Sequence, residues 1–447
     1  MLANRIAAAV NAVSFEDLSP SSVTKAKYCL LDFLSSAFVT GELPWGRQAK
    51  IAALDARGDC TIVGTTDTTA PGDAAFANAV LGHGLVRDDM HVGSVSHLGV
   101  VVIPPAIATA EINGATGREF LRALIAGYEA GGRFGRAILD VDVARIYRPT
   151  GICGPVAGAV ASAALSGLST EQLGTAIALA ANTALGYNEW AATGGSEMFF
   201  HPGFCVRNAM TSVRLAAAGA YASPSAIEGP AGILAAFAKS DSMAKALPDW
   251  SAPEIDAVFF KEVPACNFAQ TSAQAARHIA LAHSPADSAI ASVSVSVPQA
   301  AAAYPGCDAA GPFEHILQAK MSIHYNVASA LLRRNFDERN YRPQDNEDVA
   351  ALARRIQLQT DDALTARYPA QQGATVSVTL KDGTDLRHTL EDVIPAVDEA
   401  VLTRFDAAAA EAVGRDRAYA LHQAIMALES CADMTDILRL CRPENND

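Results

Sequence analysis

The chain has 447 residues, half of them hydrophobic and 18% charged, enough for a large buried core and more than one ordinary domain holds, so two domains are expected. A formal charge of −14 with no Lys/Arg run argues against nucleic acid and anionic membrane as partners. Eight scattered cysteines without a C-x-x-C support neither a disulfide nor a zinc framework and fit reduced thiols in a cytoplasm.

In chain order, MLANRIAAAVNAVSFEDL reads as an amphipathic first helix rather than a signal peptide, because Asn11 interrupts its apolar stretch. No segment offers the roughly 20 unbroken apolar residues of a membrane span, so a soluble, cytoplasmic protein is expected. Ser19 and Pro20 open a helix through SSVTKAKYCLLDFLSSAFV; Thr116 with Glu119 and Ser169 with Gln172 are capping boxes before two more. GPVAGAVASAALSG is small on nearly every face and suits close helix contact, inside a bundle or between subunits. After Pro264 the texture changes. SAIASVSVSVPQ alternates like a strand, and ATVSVTLKDGTDLRHTL reads as two strands turning at Asp382 and Gly383. AKMSIHYNVASALLRR and NEDVAALARRIQLQ read as helices. The expected fold is mainly α: an all-helical bundle domain, residues 1–265 completed by C-terminal helices in 398–447, with a smaller inserted α+β domain over 266–397.

Four polar patches interrupt the apolar runs. RDDMHVGSVSHLG carries Asp88, Asp89, His91 and His97, with His83 upstream, groups able to move protons near neutral pH. One of the two adjacent acids is free to orient a histidine while the other caps a helix or faces water. Asp and His also suit a metal, but the patch has no H-x-x-x-H and no nearby cysteine, so none is expected. RIYRPTGICGPVAG places Tyr147 and Arg148 before a helix N-terminus, where a guanidinium can pair with a carboxylate. GGSEMFFHPGFCVRN carries His201, and FFKEVPACNF places Lys261 at the domain junction.

Taken together and in this order, HGLVRDDMHVGSVSHLG, GYEAGGRFGRA, YRPTGICGPVAGA, FFHPGFCVRNAMTS, FKEVPAC and AKMSIHYNVASALL resemble the MmgE/PrpD family. The resemblance implies a helical domain plus a smaller α+β domain with a cleft between them, a homodimer, and cofactor-free chemistry beside carboxylates of small polyacids. By position, His97, Asp88, Asp89, Lys261 and His201 match family motif residues. The dehydratase and decarboxylase branches tend to have an acid at Val86, threonine at Met90, histidine at Arg148 and lysine at Met198, and with these departures the chain looks closest to the iminodisuccinate epimerase branch.

That resemblance implies inversion of a stereocentre beside a carboxylate by proton abstraction and return. His97, oriented by Asp89, is expected as one base and Tyr147 or Lys261 as the other, with Asp88 in support. Arg148, His201, His91 and Lys261 are expected to bind substrate carboxylates. The alternatives are a hydro-lyase or decarboxylase acting on 2-methylcitrate or aconitate-like acids, and a non-catalytic polyacid-binding protein.

Overall fold

The helix starts written into the sequence are present in the structure, a computed structural model that describes residues 1–237 and 244–444. Ser19 accepts from the Ser22 amide ahead of α1 (Pro20–Thr40), with Pro20 in its first turn. The helices α2 (Pro71–His83) and α3 (Gly99–Asn113) follow, and the Thr116–Glu119 box opens α4 (Gly117–Ile138). Next come α5 (Pro149–Ala163), α6 (Thr170–Ala181) behind the Ser169–Gln172 box, and α7 (Glu197–Ala217).

Every residue of α5 is buried within the chain, so its small side chains serve contacts inside the bundle rather than a subunit face. A Cβ on Gly158 would stand 2.8 Å from the Val101 carbonyl oxygen of α3, and one on Gly131 of α4 would stand 2.7 Å from the Ala157 Cβ. Glycine and alanine are what let these axes approach.

The sheet lies in the later half. Strands β1 (Ile290–Val297), β2 (Ile356–Thr360), β3 (Ala374–Leu380) and β4 (Asp385–Leu390) are ordered β2-β1-β3-β4, with β1 and β2 parallel and the other pairs antiparallel. The β3–β4 hairpin turns at Asp382–Gly383, where Gly383 has φ +88° and Asp382 accepts from the Thr384 amide. Two helix expectations need correction. In NEDVAALARRIQLQ the helix stops at Ala353 and Ile356–Thr360 is strand β2, because five successive pairings with Val293–Val297 override a weak helical pattern. In AKMSIHYNVASALLRR, Ser322 turns extended, at ψ 121°, and accepts from the Tyr325 amide, so a short helix Ile316–Met321 ends and α9 (Ile323–Arg333) begins. The helix α8 (Gln270–His283) packs on α9 and on the hairpin.

Apolar side chains form two cores. One takes the helices up to Phe260 and is joined by α10 (Asp398–Val413), α11 (Arg415–Met426) and residues as far as Cys441; the last residues of the expected C-terminal stretch, 445–447, lie outside those described. The other is built from residues 263–386, yet it also takes in Phe76, Val80, Val86, Trp190, Met198 and Phe199 from the earlier half. The polar motifs sit where the two cores meet. No described helix is long and apolar enough to cross a membrane.

Candidate active site

The segment after α2 is pinned on both sides. Met90 and His91 pair antiparallel with Phe259 and Val258, and His91 also exchanges main-chain hydrogen bonds with Ser96. The loop is therefore tight, and two valines take a left-handed conformation that β-branched residues avoid: Val86 at φ +57° and Val95 at φ +49°. Such positions cost about 1–3 kcal/mol each and persist where surroundings over-determine them. At Val86 the surroundings are two buried lysines. Lys261 Nζ donates to the Val86 carbonyl at 2.5 Å and to Ala265 at 3.2 Å, while Lys320 Nζ donates to Leu85 and Pro264, each at 2.8 Å, and pairs with Glu338.

The site centres on Asp88, whose Oδ2 lies 3.0 Å from the Nδ1 atoms of both His83 and His97. His97 Nδ1 also donates to the Asp89 carbonyl at 3.0 Å; both neighbours only accept, so the ring proton sits on Nδ1. His97 Nε2 is left with a lone pair and no protein partner among the described residues, and His97 lines an internal cavity. His83 has the same tautomer: its Nδ1–H points at Asp88 and its Nε2 accepts from Arg148 Nη2 at 3.0 Å. Burial pushes His97 down to about 3, and burial likewise lowers His83. Burial alone would raise the Asp88 carboxyl, but the two imidazoles hold it well below the usual carboxylate range, so Asp88 is the ionised member of the trio.

His83, Asp88 and His97 bring metal-ligand atoms within 4.8 Å of one another. A cation there would have to displace the hydrogen bonds to both rings and sit beside the Arg148 guanidinium, so the geometry favours proton handling over metal binding.

The other expected residues divide. Arg148, at the start of α5, is buried over Trp190, and its Nε has no protein partner among the described residues. His201 on α7 is buried near Arg148 and His83, its Nδ1 also unpartnered, and burial followed by the Arg148 charge takes it down to about 4. Lys261 is fully buried, taken down to about 8 chiefly by burial. Asp89 does not orient His97 with its side chain. It accepts from the Gly99 amide at the start of α3 and from the Tyr128 hydroxyl, at 3.0 and 2.5 Å, so Asp88 is the orienting carboxylate. Tyr147 does not line that cavity and instead packs on Tyr187 and Phe237. His91 is engaged elsewhere, with Ser94 and Glu254 at 2.7 and 2.6 Å, which removes it from the carboxylate-binding set.

The later half closes the cavity with Cys266, Asn267, Phe268, Tyr304 and Met321. The FKEVPAC and AKMSIHYN motifs signalled Cys266 and Met321; Tyr304 carries no sequence signal. Asp88 Oδ1, Trp190 Nε1 and Asn267 Oδ1 are enclosed and unpartnered among the described residues, an unusual density of unmet polar groups for a protein interior.

The protein is thus mainly helical, with two hydrophobic cores that meet at buried histidines, a carboxylate and a guanidinium. The chain belongs to the MmgE/PrpD family: residues 4–246 match the MmgE/PrpD N-terminal domain and residues 263–421 the MmgE/PrpD C-terminal domain. It is 23% identical to cis-aconitate decarboxylase of Aspergillus terreus (strain NIH 2624 / FGSC A1156) over 461 residues, 95% of this chain and 92% of that one. It is also 30% identical to the cis-aconitate decarboxylase-like protein oryM of Aspergillus oryzae (strain ATCC 42149 / RIB 40) over 213 residues, 45% of this chain and 44% of that one.

Proposed function

We propose that the protein is a cofactor-independent lyase acting beside a carboxylate of a small polycarboxylate, with decarboxylation of a cis-aconitate-like acid as the reaction. The observation that carries this reading is His97: its Nδ1–H is fixed by Asp88 and a carbonyl, and its free Nε2 faces a cavity shared with Arg148. The names of the two Aspergillus relatives support decarboxylation over epimerisation.

Arg148 binds one substrate carboxylate, and the Lys261 charge offsets the rest of the anion through the Val86 segment. A polyanion in this buried space raises the pKa of His97, so the imidazolium forms as substrate binds. When the C–C bond to the departing carboxylate breaks, its electron pair passes along the alkene. His97 Nε2–H then protonates the far carbon, and carbon dioxide leaves. The Tyr304 hydroxyl, which also lines the cavity, is the second available proton donor.

The epimerase reading keeps one supporting observation: without ligand His97 is a neutral base, as abstraction of a proton beside a carboxylate requires. One experiment separates the two. The purified protein is incubated with cis-aconitate and, in parallel, with enantiopure iminodisuccinate in D₂O, each followed by NMR beside a His97→Ala control. Carbon dioxide and a new alkene from the first substrate, lost in the control, establish the lyase. Deuterium and inverted stereoisomers from the second, with the first inert, overturn it in favour of the epimerase.

A further inference from the structure

The cavity that holds His97 and Arg148 measures about 30 Å³, room for about two waters. A second cavity of about 300 Å³ adjoins it and shares three walls, Val95, Phe268 and Tyr304. Its chemistry is different. Beyond the shared walls it is lined mainly by Leu139, Ala144, Ala300, Tyr368 and Pro369. Among the described residues its cation is Arg136, whose Nε donates to Glu254 at 2.7 Å, a carboxylate shared with Arg133 and His91, and whose guanidinium lies against Gly93. Its acid, Asp140, accepts from the Val143 amide as the cap of a short helix. Apart from Arg136, the walls among the described residues offer a carboxylate no cation, whereas apolar carbon would be received by the aromatic and aliphatic side chains.

We propose that the outer chamber is a subsite for an apolar tail, so that the substrate is a polycarboxylate bearing an alkyl or aryl substituent, its carboxylate end at Arg148 and its tail beyond Phe268 and Tyr304. The inference rests on the carboxylate placement of the lyase reading but extends it to a substrate class. Each methylene transferred from water into such a chamber strengthens binding severalfold. The tail also explains how a small inner cavity is used: only the reacting end enters it. Val95, held left-handed, lines both spaces.

The test is calorimetry of the full chain with unreactive probes, 2-methylsuccinate against 2-hexylsuccinate. The wild-type protein is expected to bind the hexyl compound at least about thirtyfold more tightly. Ala300→Phe, which fills the chamber from a partly exposed position, is expected to cut that gain to about threefold or less. Ala144→Leu, from another wall, repeats the filling if the first variant is unstable. Equal affinity for both probes in the wild type, or a gain that survives in a folded, filled variant, overturns the subsite. Turnover of cis-aconitate and of its hexyl-substituted analogue is measured on the same samples, and turnover is counted as absent only when both are inert. Absent turnover with the tail gain intact removes the lyase reading and leaves the subsite; turnover without a tail gain does the reverse.

Discussion

His91 and His97 lie six residues apart on one loop, both are buried, and both have a carboxylate oxygen within hydrogen-bond distance. Their surroundings nevertheless give them opposite tautomers. His91 accepts the Ser94 amide on Nδ1 and directs Nε2–H at Glu254, which is also held by Arg133 and Arg136, so both ring nitrogens are spent on structure. His97 spends only Nδ1 and presents Nε2 to a cavity beside a guanidinium. A buried histidine–acid pair is thus no mark of a site by itself; the unspent nitrogen and the space in front of it are.

The sharpest break of this contrast is His97→Gln, expected to lower kcat/KM by about 10²–10⁴ with little change in melting temperature. Asp88→Asn replaces the shared acceptor and lets both rings turn, and a loss of about 10² in kcat at unchanged fold is expected from steady-state kinetics. His91→Ala should behave in the opposite way. Denaturant titration is expected to show a loss of about 1–3 kcal/mol, because Glu254 loses one buried partner, while kcat of the folded fraction stays near wild type.

The charge of Lys261 acts on His97 but belongs to no group around His91. Burial places Lys261 at about 8, so its cation is present below that pH and lost above it. The pH profile of kcat/KM is therefore expected to fall through about pH 8, and Lys261→Met to be impaired throughout with no such limb. The smallest effect concerns Asp89, whose carboxyl burial raises to about 7 against two donated hydrogen bonds. The protonated acid is favoured in the folded state, so its contribution is full below about pH 4 and is lost as pH rises through about 7. Asp89→Asn is expected to flatten the plot of melting temperature against pH across that window.

What could be read in advance follows the range of the interaction. The caps at Ser19, Thr116 and Ser169 and the Asp382–Gly383 turn depend on residues two or three apart, and the sequence holds them complete. Ile356–Thr360 took its state from a strand 63 residues earlier, Val293 pairing with Ile356, and Ser322 broke a helix by capping its own successor. The mainly helical fold and the family were legible in the motifs. The choice between Asp88 and Asp89 was not, since adjacent side chains are sorted only by what stands opposite them. Tyr304 and Asn267 reach the cavity through packing of the second core, which leaves no trace in local pattern.

The ammonium groups of Lys261 and Lys320 reach from the later part of the chain to the carbonyls of Val86 and Leu85 in the earlier part. Separating the cores would break the Lys261–Val86 and Lys320–Leu85 hydrogen bonds and release the strained loop that carries Asp88. Catalytic competence is therefore a reporter of core docking: in rising denaturant, activity should vanish in step with separation of the two halves and ahead of any loss of helix within the first.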